Sequence, residues 1–198
     1  MDEFYIWLST GFTHILDWNG YDHILYIMAL CVMFSYKEWK KLLTLITAFT
    51  VGHSLTLAAS VFECIVIKQS LIEVLIPFTI LTTCVLNVLR VYNNRLTSQS
   101  LQYILALGFG FVHGMGFSYL LKSILARQES VFLPLISFNL GLEIGQLVIV
   151  LGMVLVSVFL FTFTQFKNKY WVFIISLFVF FVALLIFIQR LISLYHEF

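Results

Sequence analysis

Long apolar runs separated by short polar segments account for most of this chain. A helix needs about 20 mostly apolar residues to cross a bilayer. The segment Phe4–Trp18 is shorter than that, and we expect an interfacial or re-entrant helix there. The pattern therefore predicts an all-α transmembrane helix bundle that forms one integral membrane domain over residues 1–198. Its six predicted spans are Tyr21–Tyr36, Leu42–Phe62, Leu71–Tyr92, Leu101–Leu121, Pro134–Phe163 and Trp171–Tyr195.

The composition supports a membrane location. Of the 198 residues, 61% are hydrophobic and 11% are charged, whereas a soluble domain has about 25% charged residues. Most of the surface must therefore face the lipid bilayer, which we expect to be a partner of the chain. The net charge of +1 gives no broad basic field, so we expect no binding to nucleic acid.

Basic residues are unequally divided between the two sides of the predicted bundle. If six spans alternate in direction, seven bases lie on one side, and they are Lys37, Lys40, Lys41, Arg90, Arg95, Lys167 and Lys169. The other side has Lys68, Lys122, Arg127 and Arg190. Since loops rich in Lys and Arg stay in the cytoplasm, this bias predicts that both termini of the multi-pass chain are extracytoplasmic.

Three ionisable residues lie well inside predicted spans, where such residues are costly and usually functional. His53, His113 and Glu143 belong to the second, fourth and fifth spans. At 1.5 Å per residue, each lies roughly 12–14 Å below the same membrane surface. This shared depth predicts that the three side chains meet inside the bundle.

Other polar residues accompany this layer. Asp22 and His23 begin the first predicted span, and His14 precedes it. Imidazole and carboxylate ligands without thiolate suit nickel, cobalt, zinc or copper(II). The predicted metal ligands are therefore His14, Asp22, His23, His53, His113 and Glu143. We expect a surrounding shell of Ser54, Asn139 and Gln146, of which Asn139 and Gln146 share a helical face with Glu143.

Five segments in order resemble the HupE/UreJ family of hydrogenase and urease accessory membrane proteins. They lie between Gly11 and Gly152, and they read GFTHILDWNGYDHILYI, LITAFTVGHSLTLA, LIEVLIPFTIL followed by Asn87, GFGFVHGMGFS and FNLGLEIGQL. The family often has an acidic residue just before that Asn, where this chain has Leu86. The resemblance implies a nickel or cobalt permease of the bacterial cytoplasmic (inner) membrane. It also implies metal recognition by His14, Asp22 and His23.

Three functions remain open from the sequence. The first is transport of divalent nickel or cobalt, with capture at Asp22 and His23. The second is an intramembrane zinc-dependent hydrolase, in which His23, His53 and His113 bind zinc and Glu143 or Asp22 is the catalytic base. The third is an accessory subunit whose polar cluster only holds helices together. A homo-oligomer is compatible with all three.

Overall fold

The computed structural model describes residues 2–17, 20–65, 67–93, 99–125 and 131–197, and every regular element in these ranges is helical. A short 3₁₀ helix, Tyr36–Glu38, precedes the third α-helix. The predicted all-α class is confirmed. The described residues form seven α-helices: α1 (Glu3–Leu16), α2 (Asp22–Cys31), α3 (Trp39–Val61), α4 (Gln69–Asn93), α5 (Gln99–Leu125), α6 (Phe132–Phe163) and α7 (Asn168–Tyr195).

Five helices of the described chain, α3 to α7, are long and apolar enough to cross a membrane. They correspond to the second to sixth predicted spans. The first predicted span, Tyr21–Tyr36, differs, because its helix α2 has 10 residues and a length of about 15 Å. That is about half of a bilayer's hydrocarbon core, so the prediction of six uninterrupted spans is not confirmed.

α2 ends at Cys31, and Ser35 and Glu38 then start the next helix. The backbone N–H of Ser35 donates to the Glu38 carboxylate (3.2 Å), and the N–H of Glu38 donates to the Ser35 carbonyl (2.8 Å). The first bond lets the Glu38 side chain cap the 3₁₀ helix, and the second closes the first turn of that helix. The chain therefore turns after α2 and enters α3 in a new direction.

The two short helices follow one another through the bundle. α1 packs beside the first half of α6 and runs in the same direction, with Gly11 against Phe138 and Gly145 against Ile15. α2 continues toward the opposite end, where Val32 packs with Trp171 of α7. The chain thus passes from the α3–α4 end of the bundle (residues 62–68) to the α6–α7 end (residues 164–167) in two helical pieces.

Glycines let α3 and α5 pack with their backbones in contact. A methyl group on Gly52 would collide with the Leu107 carbonyl, and one on Gly110 would collide with the Phe49 carbonyl. Small residues at such positions allow close helix packing inside membranes. The contact sets the distance between the middle of α3 and the middle of α5.

The outer faces of α6 and α7 are apolar. Their exposed side chains include Leu151, Leu155, Phe159, Phe178, Phe181 and Leu185. A surface of this kind suits contact with lipid tails and not with water. The expected contact with a bilayer therefore agrees with the fold of a multi-pass membrane protein.

Candidate metal centre

Four histidines from four different helices meet inside the bundle. His14 is in the last turn of α1, His23 in the first turn of α2, His53 in α3 and His113 in α5. The ring centre of His23 lies 4.8 Å from that of His14, 5.2 Å from that of His113 and 6.0 Å from that of His53. We call this group the four-histidine cluster.

The ligand atoms of three of these side chains are close enough for one ion. One nitrogen each from His14, His23 and His53 lies within 4.8 Å of the other two. Nitrogens bound to one metal at about 2.1 Å are at most about 4.2 Å apart. A small rotation of the side chains therefore brings the three nitrogens to bonding distance.

The cluster is buried and has unused hydrogen-bonding atoms. His53 and His113 are 0% exposed and His23 is 5% exposed. The Nε2 atoms of all four histidines are buried without a hydrogen-bond partner among the described residues. An unsatisfied buried polar atom costs about 1–3 kcal/mol. Three of these atoms' residues, His14, His23 and His53, lie close enough together to give their lone pairs to one cation. His113 is not in that group of three, so its ligand role stays a prediction.

Hydrogen bonds orient two of the rings. The Nδ1–H of His23 donates to Oδ1 of Asp22 (3.1 Å), and the Nδ1–H of His113 donates to the Phe109 carbonyl (2.9 Å). Since a carboxylate and a carbonyl only accept, the proton is on Nδ1 and the lone pair is on Nε2. This is the tautomer that binds a metal through Nε2 with an oriented second nitrogen.

The break between α1 and α2 brings the predicted first motif together. Asp22 is the first residue of α2, and its Oδ1 accepts hydrogen bonds from the backbone N–H (2.9 Å) and the ring Nδ1–H (3.1 Å) of His23. Its own role as a metal ligand stays a prediction. His14 reaches the cluster from the other side of the break, at the carbonyl end of α1, where the helix dipole is negative.

Aromatic rings that were not predicted from the sequence enclose the cluster. Phe117 and Phe138 stack at 5.1 Å, and Phe117 lies 4.0 Å from the His14 ring. On the other side, Tyr26 and Phe49 stack at 5.0 Å and both contact His113. Residues four apart lie on the same face of a helix. Phe49 lies four residues before His53 and Phe117 four residues after His113, so this spacing could have predicted that they border the cluster.

The predicted ligand Glu143 lies in a second polar layer between α3 and α6. Its Oε1 accepts a hydrogen bond from Thr47 Oγ1 (2.8 Å), and Gln146 Oε1 accepts one from Thr50 Oγ1 (2.8 Å). Thr47 precedes His53 by six residues, about 9 Å along the helix. The group of three metal-compatible histidines does not include Glu143, so its ligand role stays a prediction.

Two other predicted residues bond within their own helices. Asn139 Nδ2 donates to the Leu135 carbonyl (2.8 Å), and Ser54 Oγ donates to the Thr50 carbonyl (2.6 Å). Neither hydrogen bond reaches a histidine. The predicted role of these side chains, and of Gln146, around a metal also stays a prediction.

Fold and site together define a multi-pass helical membrane protein with a candidate metal centre made of histidines. A family model described as HupE / UreJ protein matches residues 1–190. The chain therefore belongs to the HupE/UreJ family, and the resemblance found in the sequence is confirmed. No match was found among curated proteins or among solved structures.

Proposed function

We propose that the protein binds a divalent transition-metal ion, nickel or cobalt, at the four-histidine cluster and transports it across the membrane. The observation that carries this proposal is the set of four buried Nε2 atoms without hydrogen-bond partners among the described residues. Imidazole nitrogen suits nickel, cobalt, copper and zinc, whereas magnesium and calcium prefer oxygen ligands.

The interrupted α1–α2 segment supports transport in preference to permanent retention of the ion. Many transporters bind their ions where a membrane helix is broken, because the helix ends expose backbone groups and permit movement. Here α1 ends at Leu16 and α2 begins at Asp22, immediately beside His14 and His23. The membrane potential supplies about 4.6 kcal/mol for a divalent ion at 100 mV.

The zinc hydrolase is the weaker alternative. It requires a carboxylate that is free to activate water beside the metal. Asp22 already accepts two hydrogen bonds from His23, and Glu143 accepts one from Thr47. One tightly retained zinc per chain in the purified protein would favour the hydrolase, because a transporter must release its ion.

Metal uptake into proteoliposomes tests the proposal. The full chain is reconstituted with an internal metal-sensitive dye, and nickel or cobalt is added outside under an inside-negative potential. We expect uptake by the natural protein and a loss of at least about tenfold in His53→Ala, since removing a metal ligand weakens the site. His196→Ala, which changes the histidine that follows α7, is the matched control and should transport normally.

Two results would overturn the proposal. The first is that the natural protein takes up neither metal above empty liposomes. The second is that His53→Ala and His196→Ala transport at the same rate as the natural protein.

A further inference from the structure

A cavity lies beside the four-histidine cluster, between α2, α4 and α7. Its volume is about 100 Å³, which is enough for several water molecules at about 30 Å³ each. It is near the α3–α4 end of the bundle. The residues around it include Asp22, Glu73, Ile76, Pro77, Ile186 and Arg190.

Asp22 connects this cavity with the cluster. Its side chain lines the cavity and is 26% exposed, whereas the His23 side chain is 6% exposed. The same carboxylate accepts the hydrogen bond from His23 Nδ1. A cation in the cavity that contacts Asp22 is therefore one residue away from the cluster.

Glu73 is the second carboxylate on the cavity. Its Oε2 accepts a hydrogen bond from Arg190 Nη1 (2.8 Å), and its side chain is 33% exposed. Gln69 Nε2 donates to its Oε1 (3.4 Å) and also to the Gly116 carbonyl of α5 (3.2 Å). Glu73 is therefore held at the cavity by partners on α4 and α7.

The charges around the cavity favour cations. Two carboxylates and one guanidinium leave one net negative charge on a narrow space with the apolar walls of Ile76, Pro77 and Ile186. Apolar walls focus the field of such a charge, because the low dielectric around it screens less than water does. A divalent ion also competes with the monovalent guanidinium for the Glu73 carboxylate.

We propose that divalent metal ions reach the four-histidine cluster through this cavity, and that Glu73 is the first carboxylate they contact. Arg190 holds Glu73 until the ion takes its place, and the ion then passes to Asp22. Glu73 and Arg190 are thus residues of the entry path and not ligands of the cluster. This inference rests on the proposed function, since it concerns access to the same metal site.

The rate of cobalt binding to the full chain in lipid nanodiscs tests the entry path. Cobalt(II) is the probe because its visible absorption changes when imidazole nitrogens bind it, and stopped-flow mixing follows that change. We expect Glu73→Gln to bind cobalt about fivefold more slowly at low salt, since it loses the attracting charge. Arg190→Gln should bind cobalt faster than the natural protein, because Glu73 then loses its ion pair and keeps its full negative charge for the metal.

The bound-state spectrum separates entry from structural damage. Both variants should reach the same final cobalt spectrum as the natural protein, since the cluster is unchanged. The control is Glu197→Gln, which removes a carboxylate at the same end of the bundle from an ion pair of the same length (Lys68 to Glu197, 2.8 Å). Its binding rate should equal that of the natural protein.

The outcomes distinguish the two proposals. If the natural protein binds cobalt and the Glu73, Arg190 and Glu197 variants all bind it at the natural rate, the entry path is wrong and the metal site stands. An altered final spectrum in Glu73→Gln would make Glu73 part of the metal centre and would also contradict the entry path. If the natural protein binds neither cobalt nor, in an equilibrium titration, nickel, both proposals fail.

Discussion

At the scale of single residues, the carboxylate of Asp22 determines how the central histidine is presented. It accepts hydrogen bonds from both the backbone and the ring of His23, and His23 contacts the other three histidines of the cluster. A neighbouring carboxylate fixes the tautomer of a ligand histidine and makes its free nitrogen a better donor. In the proposed metal centre, Asp22 would therefore act on the ion through His23.

Replacing Asp22 by Asn tests this role. The amide keeps the size of the side chain but removes its charge, so the free nitrogen of His23 becomes a weaker donor. We expect the affinity for cobalt to fall about 10- to 100-fold, as measured by equilibrium titration. Glu3→Gln, at the exposed start of α1, is the control, and equal affinities of the two variants would contradict the role of Asp22.

The sequence predicted all four histidines of the cluster as metal ligands, because ionisable residues are rare in apolar helices. It did not predict the aromatic rings around them, since Phe is common throughout a chain with 21 of them. Counting residues from the predicted span ends placed Glu143 at the same depth as His53. In the structure Glu143 instead accepts a hydrogen bond from Thr47, six residues before His53 on α3. Depth counting assumes that every helix begins at the membrane surface, and α6, with 32 residues, is longer than a span needs.

At the scale of helices, the contact between α3 and α5 positions two members of the cluster. Gly52 and Gly110 allow the two backbones to touch, and Gly114 lies against the backbone of His53. Because His53 and His113 sit on these facing segments, a change in helix separation also changes the distance between their rings. The packing of α3 on α5 therefore positions two histidines of the candidate metal centre.

Gly110→Ala should destabilise the protein, whereas Gly108→Ala should not. A methyl group at Gly110 collides with the Phe49 carbonyl, while one at Gly108 meets no atom within 4 Å. We expect Gly110→Ala to cost about 1–3 kcal/mol through overpacking. Gly108→Ala should gain up to about 1 kcal/mol from helix propensity. Thermal unfolding in detergent measures both variants, and equal midpoints would contradict the close contact.

The long helices and the break between α1 and α2 were predictable, whereas the early end of α2 was not. Length and apolarity alone identify α3 to α7, because a bilayer imposes both. The start of the next helix is marked by Ser35 and Glu38, whose S-x-x-E pattern was visible in the sequence. The break before α2 follows the Asn19–Gly20 pair, a typical turn signal, although the structure leaves Asn19 undescribed. The prediction placed a break between Trp18 and Tyr21, so only the signal at Ser35 was outweighed by the apolar run.

At the scale of the whole molecule, the four-histidine cluster lies where the interrupted α1–α2 segment passes α3 and α5. The cluster is about 12 Å from the α3–α4 end, since His53 precedes the end of α3 by eight residues at 1.5 Å each. The cavity with Glu73 and Arg190 lies at that same end. The predicted orientation, with both termini extracytoplasmic, would make this the outer end, and it stays a prediction.

X-ray absorption spectroscopy of the purified full chain with one equivalent of nickel tests the central claim most directly. Imidazole rings give a distinct multiple-scattering signal, so the number of bound histidines can be counted. A four-histidine site predicts at least three imidazoles on nickel in the natural protein and one fewer in His53→Ala. Nickel bound by oxygen ligands alone, or an unchanged imidazole count in His53→Ala, would contradict it.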